Sequence, residues 1–202
     1  MMGRTERNKT VGMMEVFMQT CEVSEKLSVY HHMNKLVRSG GIVFFGSTAA
    51  SRLPLGEVNQ DFDVDLPVYN RSVEGLLAAD AERALEACVI ELQPSRVFLM
   101  LGDTDVMQAD FDPDAFLEKY RWLLYTLHNR CRASLYIVSV LGEAPAIPAV
   151  NRKLKKLAEE TGCLYVDAGI PASSSGTVSR ILSVFRAYMY QTSIPFTLAM
   201  GI

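Results

Sequence analysis

Histidine is scarce in this chain of 202 residues: there are three, His31, His32 and His128, and none follows residue 128. Imidazole chemistry is therefore excluded from the C-terminal third. Cysteine is also sparse, and Cys21, Cys88, Cys131 and Cys163 form no Cys-x-x-Cys pair and no Cys/His ligand pattern. Spaced so widely, they read as free thiols that pack as small hydrophobes rather than as a zinc site or a disulfide framework. Charge of one sign is lacking too. Twenty basic and 23 acidic residues leave a net charge of −3, scattered along the chain, and the Lys153/Lys155/Lys156 run with Glu159 and Glu160 reads as a solvated helix face. Neither a nucleic-acid face nor a polybasic membrane patch is expected. No apolar stretch is long enough to span a bilayer. Residues 1–12 are polar and lead into no apolar run of signal-peptide length, so the chain reads as cytoplasmic. Asp61, Asp63 and Asp65 alternate as in a calcium loop. That loop, however, needs a glycine at its sixth position and a glutamate where Ser72 stands, so no metal site is expected.

What is present is a core. Apolar residues make up 49% of the chain, enough for one domain of ordinary size. Residues 13–202 read as that domain, behind a loosely packed or disordered tail over 1–12. Short β-favouring runs at 42–45, 66–69, 96–101, 134–140 and 163–166 alternate with stretches of helical periodicity. The helices are expected over about 13–37, 73–92, 112–129, 149–161 and 178–190. Asp112-Pro113 supplies a cap and a first-turn proline, and Gly162 a C-terminal stop. Strands and helices that alternate with short connections predict a parallel sheet covered on both faces, a three-layer α/β/α sandwich.

Two of the strands end abruptly in glycine and small polar residues, Gly46-Ser47-Thr48 and Gly102-Asp103-Thr104-Asp105. The ends of parallel strands are where such folds place chemistry. Further along, Asn70-Arg71 closes the second run, Leu92-Gln93-Pro94 precedes the third, and Phe116 and Tyr120 fall on the next helix. Asn151 opens the helix after that, and Tyr165-Val166-Asp167 ends the last strand. In this order the set resembles the SGNH/GDSL hydrolases, the GDSL-like lipases and acylhydrolases, over about residues 42–170. The resemblance implies a flavodoxin-like fold with a five-stranded parallel sheet.

The same resemblance implies a catalytic plan that this chain only partly matches. In the family a serine attacks an acyl carbonyl with a histidine as base and an aspartate behind it. The oxyanion is held by backbone N–H groups and an asparagine side chain. Thr48 stands at the nucleophile position, Ser47 at the preceding aspartate, and Thr104 at the asparagine. Residues 70–75 are too short for the usual Gly-x-x-Gly-Asp turn, so the glycine donor is expected to be missing. No histidine follows the last strand. His128, and with it His31 and His32, is expected at the opposite rim, because helices run antiparallel to the strands.

Gly46, Asn70, Arg71, Gly102, Asp103, Asp105, Asn151 and Asp167 are the candidate binding residues at the rim. The reading is a hydrolase-like protein with weak or lost esterase activity that binds a small ligand, with no cofactor implied. One alternative is an active acyl esterase that uses Thr48 or Ser47. The other is a homo-oligomeric interaction protein, joined through its N-terminal helix or its C-terminal tail.

Overall fold

The computed structural model describes residues 21–56, 66–169 and 177–189. The N-terminal tail, the Asp61–Asp65 stretch and the C-terminal tail lie outside them. Five strands form one parallel sheet: β1 (Ile42–Gly46), β2 (Val68–Asn70), β3 (Arg96–Met100), β4 (Ser134–Val138) and β5 (Leu164–Val166). Their spatial order is β2-β1-β3-β4-β5, each pair parallel. In this doubly wound order the connections diverge between β1 and β3, which opens a crevice at the strand C-termini. The helices are α1 (residues 21–34), α2 (Thr48–Ser51), α3 (Ala81–Cys88), α4 (Pro113–Arg130), α5 (Ile147–Thr161) and α6 (Thr177–Met189).

Both faces of the sheet are covered, so its central strands are apolar throughout rather than alternating. Val43, Phe45, Val97, Leu99, Leu135 and Ile137 face one layer, with Tyr30, Leu85, Tyr120, Leu124, Leu154 and Leu157 from α1, α3, α4 and α5. Ile42, Phe44, Phe98, Tyr136 and Val138 face the other, with Ala50 of α2 and Ile181, Phe185 and Met189 of α6. On that second face the register sets Phe44, Phe98 and Tyr136 side by side across β1, β3 and β4. Their rings stack at 4.6 and 4.5 Å, and Phe185 meets the first two edge-on. This four-ring cluster ties α6 to the middle of the sheet, in the offset and edge-to-face geometries that aromatic quadrupoles favour.

Several element boundaries differ from the sequence expectation. The second strand is shifted toward its C-terminus, from 66–69 to Val68–Asn70. Pro67 is not in it, but its carbonyl accepts from Ile42 N–H at 2.8 Å. The helix expected over 73–92 is confined to Ala81–Cys88, with a 3-10 turn at Ile90–Leu92. Residues 73–80 are diverted by tertiary bonds: Ala78 N–H donates to Asp105 Oδ1 at 3.0 Å and Gly75 N–H to Thr48 Oγ1 at 3.0 Å. Helical propensity is a weak term, and such bonds override it. Elsewhere the local signals hold. Asp112 caps α4 by accepting from Asp114 N–H at 2.9 Å, and α5 stops at Gly162.

The aromatic cluster yields a stability test. Phe98 is wholly buried, so Phe98→Ala is expected to cost about 3–5 kcal/mol. Tyr125 on α4 is exposed, and Tyr125→Ala is expected to fall within about 0.5 kcal/mol of the parent. Urea unfolding midpoints of the two variants check both values.

Candidate functional site

The crevice between β1 and β3 is set by backbone contact. Ser47 N–H donates to Met100 O at 3.0 Å, and a Cβ on Gly46 would lie 2.2 Å from that same carbonyl. No side chain fits there, so the residue ending β1 has to be glycine. Gly102 takes φ +119°, and a Cβ on it would meet Val140 at 2.7 Å and Phe116 at 3.0 Å. A left-handed backbone in so little space again admits only glycine. The turns after β1 and β3 thereby come within side-chain reach of each other.

Three hydroxyls meet at that point. Ser47 Oγ lies 2.6 Å from Thr104 Oγ1, and Thr104 Oγ1 lies 3.3 Å from Thr48 Oγ1. Gly75 N–H, expected to be missing, is present and points at Thr48 Oγ1 from 3.0 Å. Residues 70–75 are short, but Asn70 anchors them. Its Nδ2 donates to Ala50 O at 2.9 Å and its Oδ1 accepts from Ser72 N–H at 3.1 Å. The sequence signal for this donor was a lone glycine in a rim loop, which cannot be told from the start of a helix without knowing where the loop goes.

Burial orients one of these hydroxyls. Ser47 is wholly buried, and Thr104 is the partner its hydroxyl has among the described residues. Ser47 therefore donates to Thr104, since a buried hydroxyl proton with no acceptor is costly. Thr104 and Thr48 share the longer contact, in which either hydroxyl can donate. Thr48 Oγ1 accepts from Gly75 N–H, and its hydroxyl keeps a second lone pair and a proton for Thr104 or for a ligand.

The carboxylates brace the turns. Asp103 Oδ2 accepts from Ala49 N–H at 2.7 Å, satisfying one of the open donors at the start of α2. Its Oδ1 is buried without a partner among the described residues, and burial raises its pKa. Asp105 is 8% exposed. Burial pushes its carboxyl up to about 6, against the pull of the Ala78 N–H, and neighbouring Asp103 and Asp80 push in the same direction.

The remaining candidate residues serve the scaffold or lie apart. Arg71 is buried with its Nε on Asn34 Oδ1 at 3.0 Å and its guanidinium 5.1 Å from both the Tyr30 and Tyr69 rings. Its side chain is thus taken up in the layer between α1 and β2 rather than in the hydroxyl cluster. Asn151 bonds both Val140 N–H and Val140 O, at 2.8 and 3.1 Å, fixing the turn after β4 to α5. Asp167 is exposed at the end of β5 and accepts from Gly169 N–H at 3.0 Å.

All three histidines are engaged elsewhere. His31 Nδ1 meets Glu91 Oε1 at 2.6 Å, His32 Nδ1 meets Ser28 O at 2.8 Å, and His128 Nε2 lies 3.8 Å from Cys163 Sγ. His128 stands near the C-terminus of α4, whose chain then turns into the start of β4, at the rim opposite Thr48. Among the described residues no cluster of three or more His, Cys, Asp or Glu side chains could hold a metal ion, and no helix is long and apolar enough to cross a membrane.

Asp105 generates a pH test. Its folded-state pKa of about 6 lies above the ordinary 3.8, so between those values the native state holds more protons than the unfolded chain. Its contribution is therefore fully present below pH 3.8 and is lost as pH rises through about 6, by up to about 3 kcal/mol. Urea midpoints at pH 4.5 and 7.5 should show a fall that is markedly smaller in Asp105→Asn.

No protein-family model matches the sequence, and no curated protein matches it. Solved structures do. A Streptococcus pneumonia protein provisionally described as a platelet activating factor superposes with a TM-score of 0.76 at 16% identity, over 91% of this chain and 99% of that one. A GDSL-like lipase from Bacteroides thetaiotaomicron gives 0.67 at 13% identity, over 81% and 96%. An acetylxylan esterase from Geobacillus stearothermophilus gives 0.61 at 16% identity, over 77% and 97%. With the parallel sheet, its strand order and the crevice between β1 and β3, these likenesses show that the chain has the SGNH/GDSL hydrolase fold.

Proposed function

We propose that this protein binds a small ligand at the β1/β3 crevice and hydrolyses esters weakly or not at all. The observation that carries the reading is the placement of the histidines, none of which reaches Thr48 or Ser47. A hydroxyl near neutral pH is a poor nucleophile without an adjacent base, and general-base assistance is worth about 10²–10⁴-fold. Thr104 adds a further loss: its hydroxyl bonds Ser47 and Thr48, where the asparagine of the family's plan would bond an oxyanion. Removing one such donor costs about 2.7–4 kcal/mol of transition-state stabilisation.

What remains suits recognition. Thr48 offers an O–H, so the ligand presents an oxygen acceptor. Asp103 beside it, with one oxygen unpartnered among the described residues, disfavours an anionic ligand. A neutral ester or amide carbonyl meets both conditions.

The test is hydrolysis of p-nitrophenyl acetate by the full chain. Thr48→Ala and Ser47→Ala are each expected to leave turnover within about twofold of the parent, and Thr48→Ser with Thr104→Asn is expected to gain less than tenfold, because neither change supplies a base worth about 10²–10⁴. A loss above tenfold in Thr48→Ala, in protein that folds as the parent does, overturns the proposal and makes the chain a working esterase.

A further inference from the structure

A second site lies on the flank of the helical layer. The first turn of α3 and the loop before it meet the middle of α4 around a groove of about 260 Å³. Its floor is Ala78 and Leu123, small or apolar and buried. Its walls are Glu82, Glu118, Lys119 and Trp122. Trp122 is 44% exposed, a high value for the side chain with the largest apolar area to hide.

Among the described residues Glu82, Glu118 and Lys119 enter no ion pair and no side-chain hydrogen bond, and the Trp122 indole N–H has no acceptor. A larger cavity of about 520 Å³ at the opposite rim differs in this respect. There Arg130 is bound to Glu86, Asn129 to Tyr125 O and Gln93 to Ile90 O. Arg132 apart, its donors serve the fold, whereas those of the smaller groove have no partner among the described residues.

We propose that the α3/α4 groove is a saccharide-binding site. A pyranose presents a flat C–H face with hydroxyls around its edge, each of which both donates and accepts. The groove supplies the complement: an indole face for the ring, two carboxylates that accept and an ammonium and an indole N–H that donate. An organic cation would use the indole and the carboxylates, but Lys119 in the same wall opposes it. An anion would face two carboxylates. The neutral polyol alone uses all four groups without a charge conflict. The groove is independent of the hydroxyl cluster, and the site does not rest on the reading of that cluster.

Trp122 is the only tryptophan of the chain, so its fluorescence reports the groove directly. Cellohexaose, xylohexaose and chitohexaose are titrated into the full-length protein by fluorescence and by calorimetry, with tetramethylammonium chloride in parallel. At least one saccharide is expected to bind saturably with Kd between about 0.1 and a few mM. Trp122→Ala should weaken it at least tenfold, roughly the value of a lost 1.4 kcal/mol contact. Trp122→Phe, which keeps an aromatic face, should retain binding within about threefold by calorimetry, and Thr48→Ala should leave it unchanged. The absence of saturable binding by all three saccharides at about 20 mM overturns the proposal. So does saturation by tetramethylammonium in their place. Saccharide binding that Thr48→Ala abolishes and Trp122→Ala does not would place the ligand in the crevice and likewise overturn it.

Discussion

The approach of Gly46 to the Met100 carbonyl is the contact on which the crevice depends. A side chain there would occupy the space 2.2 Å from that oxygen, and the Ser47 N–H bond to the same carbonyl would be lost. With the contact made, β1 and β3 end level with each other, and their turns project side by side at the point where the connections of the sheet diverge. Every other feature of the site follows from this. Thr48 and Ser47 reach Thr104, Asp103 reaches the first turn of α2, and Asp105 captures the loop that brings Gly75 over the cluster. The aromatic cluster on the second face supports it from below, since it holds β1, β3 and β4 in one register.

The backbone donor at Gly75, the turn glycines and the bracing amides of Asn70 and Asn151 are present and satisfied. A base is not. The hydroxyl cluster is a low-energy arrangement in the absence of an imidazole, because the buried Ser47 hydroxyl finds its partner in Thr104. The carboxyl of Asp105 remains as the costly element, held with one oxygen buried and unpartnered among the described residues because its other oxygen fixes the loop carrying Gly75.

Much of the fold was legible in the sequence. Apolar runs of four or five residues ending in Gly46 and Gly102 were read as central parallel strands, and they are β1 and β3. Asp112-Pro113 and Gly162 mark helix ends through local bonds, which is why α4 and α5 lie where they were expected. The helix expected over 73–92 was overextended because its first eight residues are governed by Asp105 and Thr48, about 27 residues away along the chain. Arg71 was placed with the rim residues on the strength of its position after β2. Its side chain instead turns into the layer between Tyr30 and Tyr69, a choice that the partner rings on α1 and β2 make.

By itself the sequence determined the fold class, the two strand ends that meet at the crevice and the absence of any histidine beyond residue 128. These are matters of residue type, hydrophobic period and count, and each can be read along one dimension. Only the tertiary structure decided that Gly75 returns to Thr48, that the buried Ser47 hydroxyl meets Thr104, and that the polar groups of the groove beside Trp122 have no partner among the described residues. Those features are distances between residues far apart in the chain, and hydrogen-bond direction depends on which neighbour is buried, a property no single segment carries.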